Sequence, residues 1–323
     1  GTDWDTQRGF FKHIAKSNSY MAIDLTQFFS DSQNISWLEK GYNAQGIWHE
    51  QLQLLLLWGI ETRLPAFLKL LPGTIPSART IMNTVRESHL KNVILIGDKG
   101  FFSEDNVDEL EKNQTHYLLA LKRDLPFLQY RSQSQYRNYF IYRKRVQWWR
   151  EYEWKGRRVI LYLDKGMAAE EEAIFLRKVE EGVEKKSRLS RLKNRFGTLA
   201  LVTDLGLSPQ ELYELYRQRR DIEAAFDALK NTLEADKTWM QSRESMQGYF
   251  FLMFIALYIY QYILDHLRRK KLLNNYSVHD VLWELSKVYM INVDDQMIMG
   301  EVPKVARKLI EKLEIPITKK LGS

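Results

Sequence analysis

The chain of 323 residues contains no cysteine, which excludes disulfide staples and thiolate metal centres without identifying a compartment. Its six histidines show no paired metal-ligand spacing, which argues against zinc. Internal repeats and low-complexity tracts are absent, so a repeat architecture is excluded. No secretory signal is visible at the start. The opening Gly1-Thr2 lacks a methionine and the end reads Leu321-Gly322-Ser323, as in a processed piece of a longer protein. Long apolar runs are also missing, with one exception at residues 249–264. That run is short for a membrane span, carries Gln261 and several tyrosines, and leads into Arg268-Arg269-Lys270-Lys271. A buried helix fits it better, and no membrane partner is expected.

What is present is charge and length. Lys and Arg number 48 against 41 Asp and Glu, a net charge of +7, which favours a polyanionic partner. A chain of 323 residues exceeds one ordinary core, so two or three structural units are expected.

The most informative stretch is residues 208–236. Ser208 suits the N-cap, Pro209 the first helical position and Glu211 the capping box, and no breaker follows, so one long helix is predicted. At 100° per residue Tyr216, Arg219, Glu223 and Lys230 fall within an arc of about 60°. Leu215, Ile222, Phe226, Leu229 and Leu233 make an adjacent apolar stripe. An ordinary amphipathic helix with solvated charge pairs accounts for such a face as well.

Upstream, residues 19–29 are nearly continuous apolar positions interrupted by Asp24, as in a central strand. A loop carrying Gly41-Tyr42-Asn43 precedes strands at 51–60 and 64–71, and a Ser-capped helix is predicted at 77–90. Residues 92–97 read as a short buried strand with Asp98 at its tip. A helix at about 104–113 and a strand at 117–121 follow. The order β-β-β-α-β-α-β, with an acid at the ends of two core strands, fits an α/β fold with a ribonuclease-H-like mixed sheet. Asp31 rivals Asp24, and Asp227 rivals Glu223; an acid at a strand end is also a common cap or turn residue.

Tyr216-x2-Arg219-x3-Glu223-x6-Lys230 resembles the YREK signature of DDE transposases of the insertion-sequence-four family. Asp24-Leu25-Thr26 resembles that family's D-x-T, Leu71-Pro72-Gly73-Thr74 its PGN-like turn, and Asp98-Lys99-Gly100-Phe101 its D-R-G-F/Y. Lys99 stands where Arg is common, and Arg220 where an aromatic is frequent. The resemblance implies that Asp24, Asp98 and Glu223 are the catalytic acids and the metal ligands. They would hold two Mg²⁺ ions, with Mn²⁺ as substitute, Asp24 bridging them. Hard divalent ions take oxygen ligands and suit phosphoryl chemistry. It further implies that Tyr216, Arg219 and Lys230 contact DNA, that the partner is double-stranded DNA at transposon ends and target, that a homodimer forms on it, and that the protein works in the bacterial cytoplasm. With Asp24 so near residue 1, little room is left for an N-terminal DNA-reading domain.

Between the second and third acids, composition shifts over residues 123–196. Residues 136–154 interleave aromatics with Arg137, Arg143, Lys144, Arg145 and Arg150, and Lys155-Gly156 reads as a hairpin turn into a strand at 158–163. In strand alternation Trp148, Arg150, Tyr152 and Trp154 share one face and Trp149 lies on the other. Aromatics beside cations suit stacking on unpaired bases, and an ordinary inward-packed hairpin suits the same pattern. Resembled relatives with such an insertion hold DNA there, some with a Trp on a flipped base; Trp149 is the first choice here, with Arg143 and Arg145 as DNA contacts. Helix resumes from Ala168, and Lys185, Lys186, Arg188, Arg191, Lys193 and Arg195 form either a phosphate track or a solvated face.

The expected organisation is a first part of the catalytic core (1–122), a β-rich insertion with a basic helix (123–196), a second part of the core with the signature helix (197–237) and a C-terminal helical region (238–323). The expected activity is metal-dependent cleavage at transposon ends and transfer of the 3′-hydroxyl into target DNA. The alternatives are an inactive relative that only binds DNA and a metal-dependent nuclease without strand transfer.

Overall fold

The structure, a computed structural model, describes residues 4–14, 19–32, 34–35, 38–42, 48–72, 83–84, 87–88, 93–130, 132–234, 237–293, 296–315 and 320–321. The helix predicted at 77–90 falls almost wholly outside these residues, as do Asn43, Gly73 and Thr74.

Helix α1 (Trp4–Ile14) leads into β1 (Tyr20–Ser30), the centre of the sheet. Strands β3 (Trp48–Gly59) and β4 (Leu64–Leu71) fold back on it, β3 antiparallel to β1 and β4 antiparallel to β3. The run Leu54 to Leu57 is buried at every position, as a strand covered on both faces requires. Gly41 and Tyr42 are not in a loop: they belong to a short strand, β2 (Glu39–Tyr42), that pairs with the start of β3. On the other side of β1 lie β5 (Ile94–Gly97) and then β6 (Tyr117–Ala120), both parallel, joined through α2 (Glu104–Lys112). Ser103 caps α2 by accepting from the Asn106 N–H. Three antiparallel strands followed by two parallel ones, in the order β4-β3-β1-β5-β6, make the ribonuclease-H-like mixed sheet that the sequence predicts.

The strands of residues 123–196 extend that same sheet. Strands β7 (Asn138–Tyr142), β8 (Arg145–Trp154) and β9 (Arg157–Leu163) form a meander, α3 (Lys165–Glu180) follows, and β10 (Thr198–Thr203) inserts antiparallel between β6 and β9. The free edge of β6 is thereby paired instead of exposed. Lys155 and Gly156 form the predicted turn with φ of 52° and 75°. A second turn, at Arg143 and Lys144 with φ of 47° and 66°, has the same left-handed geometry without Gly, Asn or Asp to mark it.

The signature stretch is divided into α4 (Pro209–Gln218), α5 (Arg220–Asp227) and a π-helical turn at Ala228–Thr232. A two-residue strand, β11 (Lys237–Thr238), pairs with the end of β1. The long apolar helix α6 (Arg243–Arg269) would be long and apolar enough to cross a membrane, but Phe250, Phe254 and Leu257 are buried in the core. Phe11 of α1 packs edge-on against Phe251 and Phe254. Beyond it, α7 (Val278–Leu285) and α8 (Lys304–Leu313) share a small apolar cluster with Leu267. The C-terminal region is not helical throughout: β12 (Met290–Val293), β13 (Gln296–Met299) and β14 (Lys320–Leu321) form a separate three-stranded sheet.

Candidate active site

Alternation along β1 puts Ala22, Asp24, Thr26 and Phe28 on one face of the sheet. The parallel pairing of β1 with β5 ends at Ile23 opposite Gly97. Asp24 and Asp98 are the next residues on adjacent strands, whose axes lie about 4.8 Å apart. Gly97 is where the backbone comes close: a Cβ there would meet Leu119 Cδ2 at 2.8 Å and Phe101 Cβ at 3.1 Å. The Asp98 side chain is fixed by its own turn, Oδ1 accepting from the Gly100 N–H at 2.7 Å.

The helix carrying the third acid starts as predicted, with Ser208 and Glu211 in a reciprocal capping box. It is not one continuous helix. At Arg219 the ladder tightens, the Arg219 N–H donating to the Tyr216 carbonyl (3.2 Å) and the Ile222 N–H to the Arg219 carbonyl (3.0 Å). No residue there is a helix breaker. The reason is tertiary: Arg219 is only 8% exposed, and its guanidinium is drawn towards the sheet. Nη1 donates to Asp24 Oδ2 at 3.0 Å, and Nη2 donates to Glu223 Oε1 at 2.8 Å. Its Nε is buried with no acceptor. The guanidinium carbon lies 5.7 Å from the centre of the Tyr216 ring.

The electrostatics follow from this packing. Burial raises the Asp24 carboxyl to about 6; Arg219 and the Leu25 N–H pull it down by less, while Asp98 and Glu223 push it up. Burial also raises the Tyr216 phenol above its ordinary value, so it stands as a neutral donor. Three acids separated by long stretches of chain thus act on one another around a single guanidinium.

An all-oxygen set of carboxylates is the donor chemistry that Mg²⁺ or Mn²⁺ takes. As the side chains stand, no three such ligands among the described residues surround one point. The Arg219 guanidinium stands between Asp24 and Glu223 and holds the place by charge. The residues fit a divalent ion in chemistry, and Arg219 occupies one oxygen of each of two of them.

Arg219 and Lys230 reach two side chains on the same face of β1, Asp24 and Phe28. Tyr216, Arg219 and Glu223 gather at the acids, whereas Lys230, on the π turn, puts Nζ 5.1 Å from the centre of the Phe28 ring. Phe28 is four residues along β1 from Asp24, about 13 Å at strand rise. The rival acids lie elsewhere: Asp31 pairs with His49 (3.1 Å), and Asp227 accepts from the Asn231 side chain (2.6 Å).

A cleft of about 950 Å³ opens beside the acids, reaching Asp98, Tyr216 and Arg219. It is lined by Lys99, Lys122, Arg123, Lys178 and Arg195, by the acids Asp124, Glu171 and Glu184, and by apolar side chains including Ile174, Phe175, Leu192 and Phe196. Of the basic run at 185–195, only Arg195 lines it, with its guanidinium over the Tyr130 ring. Lys122 and Arg123, which follow β6, and Lys178, on α3, carry no shared local pattern in the sequence that marks them as neighbours. Arg123 is partly committed, donating to Thr198 O and forking onto Glu171 at 2.8 and 3.1 Å.

The insertion residues lie well away. Trp149 is half-buried on β8, opposite Asn138 and Tyr162, and the sheet order places five strand steps, roughly 24 Å, between β8 and β1. Arg143 occupies the β7–β8 turn over the Tyr142 ring, and Arg145 reaches Asp164 and Glu170, both at 3.5 Å. On the opposite face Trp154 stacks on Phe127 at 3.8 Å, and the Tyr152 hydroxyl donates to Phe127 O, so those aromatics pin the 121–130 loop. Tyr139, 61% exposed, stands beside Trp148, whose ring has Lys165 Nζ 4.1 Å from its centre.

No curated protein sequence matches the chain. Among solved structures it is similar to the piggyBac transposase synaptic complex with hairpin DNA, at 9% identity and a TM-score of 0.47, over 96% of this chain and 54% of that one. It is also similar to the Mos1 transposase paired-end complex with the left transposon end, at 17% identity and a TM-score of 0.22, over 35% of this chain and 39% of that one. The chain thus spans about half the length, or less, of these structures, and likenesses at such scores carry no weight in the assignment. The assignment rests on a family model described as the Transposase DDE domain, which matches residues 12–259 and so takes in all three acids. The chain belongs to the DDE transposase domain family.

Proposed function

We propose that the chain is the catalytic portion of a DNA transposase of the insertion-sequence-four type, cleaving at transposon ends and joining the freed 3′-hydroxyl to target DNA. The observation that carries this reading is Arg219 bridging Asp24 and Glu223, with Asp98 at the tip of the strand beside Asp24, next to a cleft lined by both basic and acidic side chains. Asp24, Asp98 and Glu223 are the residues to hold Mg²⁺, or Mn²⁺ in its stead. When bound, the ions supply activation of the attacking water or 3′-hydroxyl and stabilisation of the leaving oxygen.

The rest is work for the chain's own side chains. Lys99, Lys122, Lys178 and Arg195 attract the phosphate backbone and hold the scissile phosphate against the acids, a positioning effect that dominates phosphoryl transfer. Tyr216 is a neutral hydroxyl donor to a phosphate oxygen. Lys230 reaches the duplex farther along β1. The strip from Arg143 to Trp149 holds DNA beyond the cut, and two copies of the chain act on one pair of ends.

A labelled duplex carrying the transposon end, incubated with Mg²⁺, tests the reading. Nicking at the end, followed by joining of a pre-cut 3′-hydroxyl end to a second duplex, is expected. Binding that persists without metal while cleavage never appears would leave a protein that only binds DNA, and nicking without joining would leave a nuclease.

A further inference from the structure

Arg219 is placed where a cofactor ion would compete with it. Its two terminal nitrogens donate to Asp24 and Glu223, the same oxygens that a divalent ion would take. An ion of charge +2 on these carboxylates competes with the guanidinium for the same lone pairs and repels its charge, which weakens the Arg219 bonds. The third nitrogen, Nε, is buried without an acceptor, so the pocket satisfies the group incompletely. Arg219 also lines the cleft, and it sits at the joint between α4 and α5, where the helical ladder is already interrupted.

We infer that Arg219 is a displaceable counter-ion: it pairs Asp24 with Glu223 in the ion-free protein, and divalent-ion binding releases its guanidinium into the cleft, where it takes up a DNA phosphate. This rests on the transposase reading and adds an order to it. Ion and DNA then bind with positive linkage, since each favours the arrangement with Arg219 swung out, and a ligand shifts a two-state equilibrium only through such differential contacts. In the opposite case Arg219 is a fixed strut that orients the two acids for the ion.

Mn²⁺ binding by the full chain, followed by titration calorimetry with and without an excess of duplex oligonucleotide, separates these cases. Without DNA, R219Q is expected to bind Mn²⁺ about fivefold or more tightly than the unaltered protein, the low end of ordinary coupling. DNA should tighten Mn²⁺ binding to the unaltered protein by a similar factor and leave R219Q unchanged. R219K keeps the charge but cannot fork onto two carboxylates. It should lie between, and it decides the matter if R219Q does not fold. Equal or weaker Mn²⁺ binding by whichever variant folds, with D24N abolishing it, overturns the counter-ion role and leaves the transposase reading standing. No Mn²⁺ binding by any of these proteins, or binding indifferent to D24N, removes both.

Discussion

Arg219 Nη1 donates to Asp24 Oδ2 at 3.0 Å across 195 positions of chain. This bond ties the helical arm to the central strand and offsets part of the burial that raises the Asp24 carboxyl.

Asp98→Asn should abolish metal-dependent cleavage, by about 10²-fold or more, while DNA affinity changes little. An asparagine Oδ1 can still accept from the Gly100 N–H, so the turn survives and stability should stay within about 0.5 kcal/mol. Cleavage rate, filter binding and thermal melting on one preparation check all three. Retained cleavage would remove Asp98 from the site.

The Asp24 carboxyl has a pH signature in metal-free protein. Its folded value, about 6, lies above the ordinary 3.8 of an aspartate, so the folded state holds the proton more tightly. The stabilisation is therefore complete below about 4 and is lost as pH rises through 6, up to about 3 kcal/mol in all. Urea melts in EDTA across this range, with Asp24→Asn as the reference lacking the titration, should differ by a curve that falls over that window. A difference that is flat with pH would mean that burial does not govern this carboxyl.

Gly97→Ala probes how the backbone sets Asp98. The added methyl overlaps the Leu119 side chain and presses on Phe101, so a loss of about 1–3 kcal/mol is expected. Because β5 must shift to relieve it, cleavage should fall at temperatures where the variant is still folded. A stable variant with full cleavage would show that β5 tolerates the shift.

The insertion aromatics should divide by role. Trp154→Ala loses the stack on Phe127 and should cost about 3 kcal/mol or more in a urea melt. Tyr139→Ala, at an exposed position, should leave stability within about 0.5 kcal/mol yet weaken binding to hairpin or single-stranded DNA, where an open ring contributes about 1–3 kcal/mol. Fluorescence anisotropy with such oligonucleotides measures the second effect; unchanged affinity would confine Tyr139 to the surface.

Much of the framework was legible because it is written in neighbouring residues. The run 92–97 followed by Asp98 announces a buried strand with an acid at its tip, and Ser208-Pro209 with Glu211 announces a capped helix. The Arg143-Lys144 turn was not legible, since neither residue favours positive φ and cross-strand pairing imposes it. Strands β12 and β13 were not legible for the same reason: their pairing with each other and with residues 320–321 defines them.

The sequence by itself determined where most strands of the core run, where the arm starts and that Asp98 follows a strand end, because capping, alternation and apolar runs act over a few residues; Asp24, expected at a strand end as well, lies in the middle of β1, whose ladder with β3 runs on to Phe29. Only the tertiary structure decided that the arm is interrupted at Arg219, that its guanidinium bridges Asp24 and Glu223, and that cations from separate segments meet in one cleft. Those outcomes depend on a buried guanidinium finding carboxylates at opposite separations of 4 and 195 positions, a balance of charge and burial that exists only once the chain has closed on itself.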